Sequence, residues 1–425
     1  MLVVAPTRSG KGLLATSQLL SWPHSVVVND IKGDLFDQTA GYRATLGKVF
    51  VFDPTGVGNR FDPLRGKYTD LELKSVAKSL LYKPDEGNGE IFTQRATRML
   101  TQLFHAARLE QVSPLRYVGT MINAPLKVVA TRLAMLSPQL AIRFLDDHLA
   151  DADFQNKFLL SGWSTLTARL DALLAESLVR CFTGNDFTAH ELLFSKTPIT
   201  VYLRWPERDL LVLSPLIRLM WGTLIDELTA AYDAANGVNC RPVLLLIDEA
   251  GRTAIPSLSD HATTVVGRGI SLWIAVQSLS QLTVVYGTQR ATILRDNMES
   301  RIFYRPNDQE TAEYLERCLG RKSDFAHSHT IREGAETSEG RMEQGIPLMT
   351  AQEIKQMADE DVIGFHRQLP PFMAKRMDWR HFPDLVKRQG MPPPELSPLP
   401  DLAEPLPALR PQSNGQLNSF INPDM

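Results

Sequence analysis

The chain has 425 residues, of which 44% are hydrophobic and 22% charged, with a formal net charge of −3, a balance that supports a substantial buried core in about two compact units. Its three cysteines, Cys181, Cys240 and Cys318, form no Cys-x-x-Cys pair, which excludes a disulfide framework or a cysteine zinc site and reads as reduced structural thiols of a cytosolic protein. The charge is not that of a generally basic nucleic-acid binder, although a ring can confine positive potential to its channel.

In chain order, residues 1–4 predict a short apolar strand that breaks into Ala5-Pro6-Thr7-Arg8-Ser9-Gly10-Lys11-Gly12, followed by a helix over 13–20. This is a phosphate-binding loop. Its backbone N–H groups turn inward, the helix adds the positive end of its dipole, and Lys11 is placed to reach the β- and γ-phosphates of a nucleotide. Pro6, Thr7, Arg8, Ser9, Gly10, Lys11 and Gly12 are the expected nucleotide-binding residues. The usual pattern has Gly in place of Ala5 and Ser or Thr in place of Gly12, so Mg²⁺ lacks the customary hydroxyl and needs another ligand or water.

Strands at 26–29 and 48–52 with a helix between them continue a parallel α/β pattern. Asp30 and Lys32 follow the first of these strands, either beside the phosphate loop or capping the next helix. From 67 to 185 the period becomes helical, in segments 71–82, 91–109, 125–135 and 158–178, which predicts an inserted all-α domain. Arg95, Arg98 and Arg108 cluster there, flanked by Glu90 and Glu110 as on a solvated helix face. The strand pattern resumes at 199–203. The apolar stretch 210–232 is interrupted by Arg218, Asp226 and Glu227 and reads as an amphipathic helix rather than a bilayer span.

Five aliphatic residues, 243–247, end in Asp248-Glu249, as a buried strand delivering two acids to its carboxyl end. Asp248 is expected on Mg²⁺ and Glu249 on the attacking water. Arg268, flanked by Gly267 and Gly269, reads either as an arginine finger for a neighbouring subunit's phosphate or as a solvated loop residue. Gln277 follows the strand 272–276, where an amide can sense the γ-phosphate or simply cap a strand end. Further strands are predicted at 301–304 and 362–365. Arg290, Arg295, Arg301 and Arg305 are candidates to line a channel and track a phosphate backbone, a cluster interrupted by Asp296 and Glu299. His327 and His329 sit in a polar run suited to an exposed hairpin or loop, without a completing ligand set, so no metal beyond nucleotide-bound Mg²⁺ is expected. From 389 the proline-rich chain is expected to be a disordered tail.

The ordered set Ala-Pro-Thr-Arg-Ser-Gly-Lys-Gly at 5–12, Val-Val-Val-Asn-Asp-Ile-Lys-Gly-Asp at 26–34, Phe-Asp-Pro at 52–54, Leu-Leu-Ile-Asp-Glu at 245–249 and Gln-Ser-Leu-Ser-Gln-Leu at 277–282 resembles the TraG class of type IV secretion coupling proteins. The likeness runs from residue 3 to about 382. It implies an α/β, RecA-like P-loop NTPase core with a mostly parallel central sheet, spanning 1–66 and 186–388, with the all-α domain 67–185 inserted and 389–425 as tail.

The resemblance further implies a homo-hexameric ATPase using ATP and Mg²⁺ at the cytoplasmic side of the bacterial inner membrane. Such a protein moves single-stranded DNA with its relaxase, or an effector protein, to type IV secretion channel proteins. Members usually carry two transmembrane helices ahead of the phosphate loop. With four residues before Ala5, this chain is expected to lack that anchor, or to take it from a separate polypeptide. Two other readings stay open: a nucleotide-switched receptor for protein effectors, and a truncated, non-hydrolysing adaptor.

Overall fold

The computed structural model describes residues 1–67, 69–81, 90–253, 255, 258–330 and 338–402, with the backbone alone at 325–330 and 338–342. Its strands are β1 (Leu2–Val4), β2 (Ser25–Asp30), β3 (Lys48–Asp53), β4 (Val57–Gly58), β5 (Ile199–Arg204), β6 (Val243–Ile247), β7 (Ile270–Val276), β8 (Ser300–Tyr304), β9 (Arg321–Thr330), β10 (Ser338–Pro347), β11 (Asp361–His366) and β12 (Phe372–Lys375). The chain divides into two compact units. One comprises Met1–Trp22, Leu244–Ala254 and Leu258–Gly390; the other comprises Pro23–Val243, Ile255–Ser257 and the chain from Met391.

In the first unit the strand order is β12-β11-β8-β1-β7-β6. β1 lies parallel to both neighbours, with Leu2, Val3 and Val4 opposite Ile274, Ala275 and Val276 on one side and Arg301, Ile302 and Phe303 on the other. β11 and β12 close that flank in antiparallel fashion. The aliphatic runs of β1 and β6 are buried throughout, the pattern of strands covered on both faces. The helix Lys11–Ser21 packs against the helix Pro383–Gln389, where Arg388 donates to the Leu20 carbonyl at 2.6 Å. β9 and β10 pair as a separate antiparallel ribbon, with His327 opposite Arg341 and His329 opposite Glu339. The side chains of His327 and His329 lie outside the described residues.

In the second unit β2, β5 and β3 are parallel neighbours and β4 turns antiparallel on β3. Every described helix or strand from Asp70 to Cys181 is helical: Asp70–Leu81, Glu90–Leu109, Pro114–Met121, Leu126–Leu136, Pro138–Leu145, Lys157–Leu170, the 3₁₀ turn Asp171–Leu174 and Glu176–Cys181. In Glu90–Leu109 the buried positions Ala96, Met99, Leu100, Leu103, Phe104 and Ala107 recur at three- and four-residue spacing, giving one apolar face. The helix expected over 158–178 is interrupted, because the 3₁₀ turn tightens after Leu170 and Ala175 adopts an extended backbone. Asn29 of β2 organises the buried interior: its carbonyl oxygen accepts the indole N–H of Trp205 at 3.0 Å and of Trp221 at 3.1 Å. Cys181 is buried, its thiol donating to the Asp53 carbonyl at 3.2 Å, and burial pushes that thiol up to about 12, as suits a structural cysteine. Among the described residues no helix is long and apolar enough to cross a membrane.

The proline-rich segment from 389 differs from the disordered tail expected for it. Through Leu402 it is docked on the second unit. The Gly58 N–H donates to the Ser397 carbonyl at 2.9 Å, the Leu399 N–H donates to the Gly56 carbonyl at 2.8 Å, and Asp401 pairs with Arg180 at 2.7 Å. Prolines lack a donor but keep their carbonyl, so such a segment can line the edge of a strand without entering a ladder. Residues 403–425 lie outside the described residues.

Two expected outcomes follow from this packing. Asn29→Leu leaves two indole N–H groups buried without an acceptor and is expected to cost about 3 kcal/mol, read by urea unfolding. A Cβ on Gly41 would lie 2.2 Å from the Met391 carbonyl oxygen, so Gly41→Ala is expected to loosen the docked segment and expose it to limited proteolysis, with little change in the far-ultraviolet circular dichroism.

Candidate functional site

The first unit brings together the ends of β1, β6 and β7. The loop leaving β1 is pinned by the Ala5 N–H, which donates to the Val276 carbonyl at 2.9 Å. It then turns on itself, with both the N–H and the hydroxyl of Ser9 donating to the Pro6 carbonyl at 3.2 and 2.7 Å. Arg8 and Gly10 adopt left-handed backbone, with φ of 65° and 98°. Gly10 is the N-cap of the helix Lys11–Ser21 and supplies no capping side chain, and no acid lies in the first turn. The helix therefore begins with N–H groups that have no intrahelical acceptor and a positive dipole end without a local counter-charge, an arrangement that favours an anion.

Lys11 reaches into the acid pair beyond β6. Its ammonium pairs with Asp248 Oδ1 at 3.1 Å and contacts Glu249 Oε1. The other Glu249 oxygen accepts the Gln277 side-chain N–H at 3.1 Å, while Gln277 Oε1 accepts the Thr7 hydroxyl at 3.2 Å. A continuous polar chain thus runs from Thr7 through Gln277 and Glu249 to Lys11 and Asp248. All five side chains come from the loop, acid and strand-end positions named from sequence. Burial pushes the Asp248 carboxyl above its usual range, with Lys11 opposing the shift. Glu249 holds φ 57°, and a non-glycine residue there costs on the order of 1 kcal/mol, a cost found where a side chain must be aimed. Its carbonyl accepts the N–H groups of Arg252 and Thr253, forming the turn that holds this conformation.

Gly12 is exposed, and nothing lies within 4 Å of where a Cβ would stand, so the missing hydroxyl leaves open space rather than a substitute contact. Arg268 is elsewhere. It precedes β7 whereas Gln277 follows it, and seven residues of strand separate those ends by about 23 Å. Its guanidinium donates to the Thr264 carbonyl at 2.7 Å, and neither Gly267 nor Gly269 has a neighbour within 4 Å of a would-be Cβ. The glycines flanking Arg268 thus accommodate no close approach within the chain.

Other candidate clusters are committed to local contacts. Arg295 lies 4.5 Å from the Tyr314 ring, Arg301 donates to the Tyr314 hydroxyl at 2.7 Å, and Arg305 pairs with Asp359 at 2.8 Å. Arg95 and Arg98 converge on Asp146. In the second unit Asp30 caps the helix Asp34–Leu46, accepting from the Gly33 and Phe36 N–H groups at 2.9 and 2.8 Å, and burial pushes its carboxyl up to about 6. Lys32 is exposed.

Two residues of the site carried no assignment from sequence. Gln281 accepts the Gln277 backbone N–H at 3.0 Å and lies where a side chain on Gly251 would clash. It sits within the quoted motif 277–282, and that repeated Gln was the available signal. Arg376 donates to the Ser9 carbonyl at 2.8 Å, and nothing local in its sequence marks it.

The sequence matches the family described as type IV secretory system conjugative DNA transfer over residues 1–397. It is 27% identical to the protein VirD4 of Rhizobium radiobacter over 445 aligned positions, covering 99% of this chain and 62% of that protein. It is also 27% identical to a conjugal transfer protein TraG of Escherichia coli, covering 75% of this chain and 55% of the relative. The chain thus spans less than two thirds of the length of these curated relatives. Among solved structures, the bacterial conjugative coupling protein TrwBdeltaN70 superposes with a TM-score of 0.65 at 20% identity, covering 88% of this chain and 85% of that one. TrwB in complex with ADP and Mg²⁺ superposes at 0.63, with 20% identity and coverage of 88% and 84%. The likeness establishes the RecA-like coupling-protein fold expected from sequence.

Lys11 is the counter-charge for two half-buried carboxylates. A carboxyl with a raised folded-state pKa favours the fold at pH below its unfolded value and loses that contribution as pH rises through the folded one. Lys11→Met raises Asp248 further. The variant's loss of Tm, measured without nucleotide, is therefore expected to widen as pH rises above the ordinary carboxylate range.

Proposed function

The chain belongs to the type IV secretory system conjugative DNA transfer family, and on that premise we propose that it is an ATP-hydrolysing coupling protein that delivers single-stranded DNA with its attached relaxase to a type IV secretion channel. The observation that carries this reading is the convergence of Lys11, Asp248, Glu249 and Gln277 at an uncapped helix N-terminus. That donor set fits a magnesium nucleotide: backbone N–H groups and an ammonium for phosphate, and a half-buried carboxylate for the metal's water shell. ATP supplies the phosphoryl group to be cleaved, and Mg²⁺ offsets the charge on its phosphates.

The chain's own residues divide the work. Pro6, Thr7, Arg8, Ser9, Gly10 and Gly12 shape the loop. Lys11 exchanges its carboxylate partners for phosphate, which frees Asp248 to face the metal and Glu249 to orient water. Gln277, bonded to both Thr7 and Glu249, reports phosphate occupancy on one side to the water-orienting carboxylate on the other. TrwB, with which this chain shares its fold, is described in complex with ADP and Mg²⁺. Arg268 acts in trans: its distance from Gln277 along β7 suits a role at a neighbour's nucleotide in a head-to-tail hexamer. We place cargo selection on residues 67–185, as an all-α domain inserted in the nucleotide-binding core, and the assembly at the cytoplasmic face of the inner membrane, joined to channel proteins and to an anchor.

Steady-state ATP hydrolysis measured against protein concentration tests the reading. Turnover is expected to rise steeply as rings assemble and to increase with single-stranded DNA. It should fall about 100-fold or more in Glu249→Gln and Lys11→Ala, with circular dichroism unchanged. Retained turnover in either variant sinks the residue assignments, and turnover indifferent to DNA favours a receptor for protein effectors.

A further inference from the structure

Arg376 follows β12 directly, and its backbone N–H is fixed to the Glu360 carbonyl at 2.7 Å. From there the side chain reaches the phosphate loop, where Nη1 donates to the Ser9 carbonyl at 2.8 Å. It packs closely on Gly10: a Cβ there would stand 3.2 Å from Nη1 and 3.4 Å from Cδ, so any side chain at this position would press the guanidinium aside by a few tenths of an ångström. In a trans peptide the C=O and the following N–H point in opposite directions. Holding the Ser9 oxygen on the Arg376 side therefore turns the Gly10 N–H to the opposite side of that peptide.

We propose that Arg376 is a positioning residue of the phosphate site, which sets the Ser9–Gly10 peptide for a nucleoside diphosphate or triphosphate and ties that loop to the β11–β12 hairpin. This rests on the nucleotide-binding reading above. The planar guanidinium fork holds one orientation, so the contact acts as a fixed strut. Because the Gly10 N–H meets phosphate alike before and during bond cleavage, its loss weakens binding uniformly, raising KM and leaving kcat in place.

The test uses the whole chain, with ADP binding by calorimetry and ATP turnover measured on wild type, Arg376→Ala and Arg376→Lys, and Tm recorded for each. Arg376→Ala is expected to weaken ADP binding about tenfold or more and to raise KM for ATP in step, with kcat within about threefold of wild type. Arg376→Lys, which keeps a donor and the charge, recovers part of the affinity. ADP affinity in Arg376→Ala within about twofold of wild type overturns the proposal while leaving the nucleotide reading intact. A fall in kcat at unchanged KM overturns it too, since that places the residue in the chemical step. A wild-type chain that binds no ADP removes the nucleotide reading and this proposal together.

Discussion

The parallel alignment of β1 with β7 is the constraint on which the site depends. Since Leu2, Val3 and Val4 stand opposite Ile274, Ala275 and Val276, the loop after one strand and the residue after the other must emerge at the same sheet edge. The bond from the Ala5 N–H to the Val276 carbonyl extends the pairing one residue into the loop and sets where the phosphate cradle begins. A shift of one residue would reverse the faces of β1 and carry Thr7 away from Gln277. The buried aliphatic runs make such a shift costly, so the hydrophobic core holds the polar network in place.

Electrostatics then decide the arrangement at that edge. Two half-buried carboxylates side by side require a cation, and Lys11 supplies it from the first residue of its helix. The same lysine stands beside N–H groups that favour an anion, so its ion pairs and a bound phosphate compete for one ammonium. Glu249 is held in left-handed backbone by the turn to Arg252 and Thr253, and Gln277 holds one of its oxygens. This competition gives a physical basis for coupling nucleotide occupancy to the orientation of Glu249.

The second unit follows different rules. Its core is organised by a single side-chain carbonyl shared by two tryptophans, and its helical segment uses ion pairs such as those of Arg95 and Arg98 with Asp146 to hold helices together. Arg95, which reads from sequence as part of a solvated helix face, is there buried and ion-paired. The segment through Leu402 lies along β4 for a related reason: an edge strand has free backbone groups, and extended proline-rich chain offers carbonyls without needing to donate at every residue.

The sequence by itself determined the α/β alternation, the phosphate loop and the acid pair, because each is written in contiguous residues whose local periodicity and backbone demands suffice to identify it. Gly10 before Lys11 and five aliphatics before Asp248 are signals of that kind. Only the tertiary structure decided that helix 158–178 breaks, that the proline segment docks, and that Arg376 meets Ser9 across 367 residues of chain. Those outcomes depend on which backbone carbonyls and strand edges come within about 3 Å of a given group, and no local pattern encodes a contact made by chain closure over so long a separation.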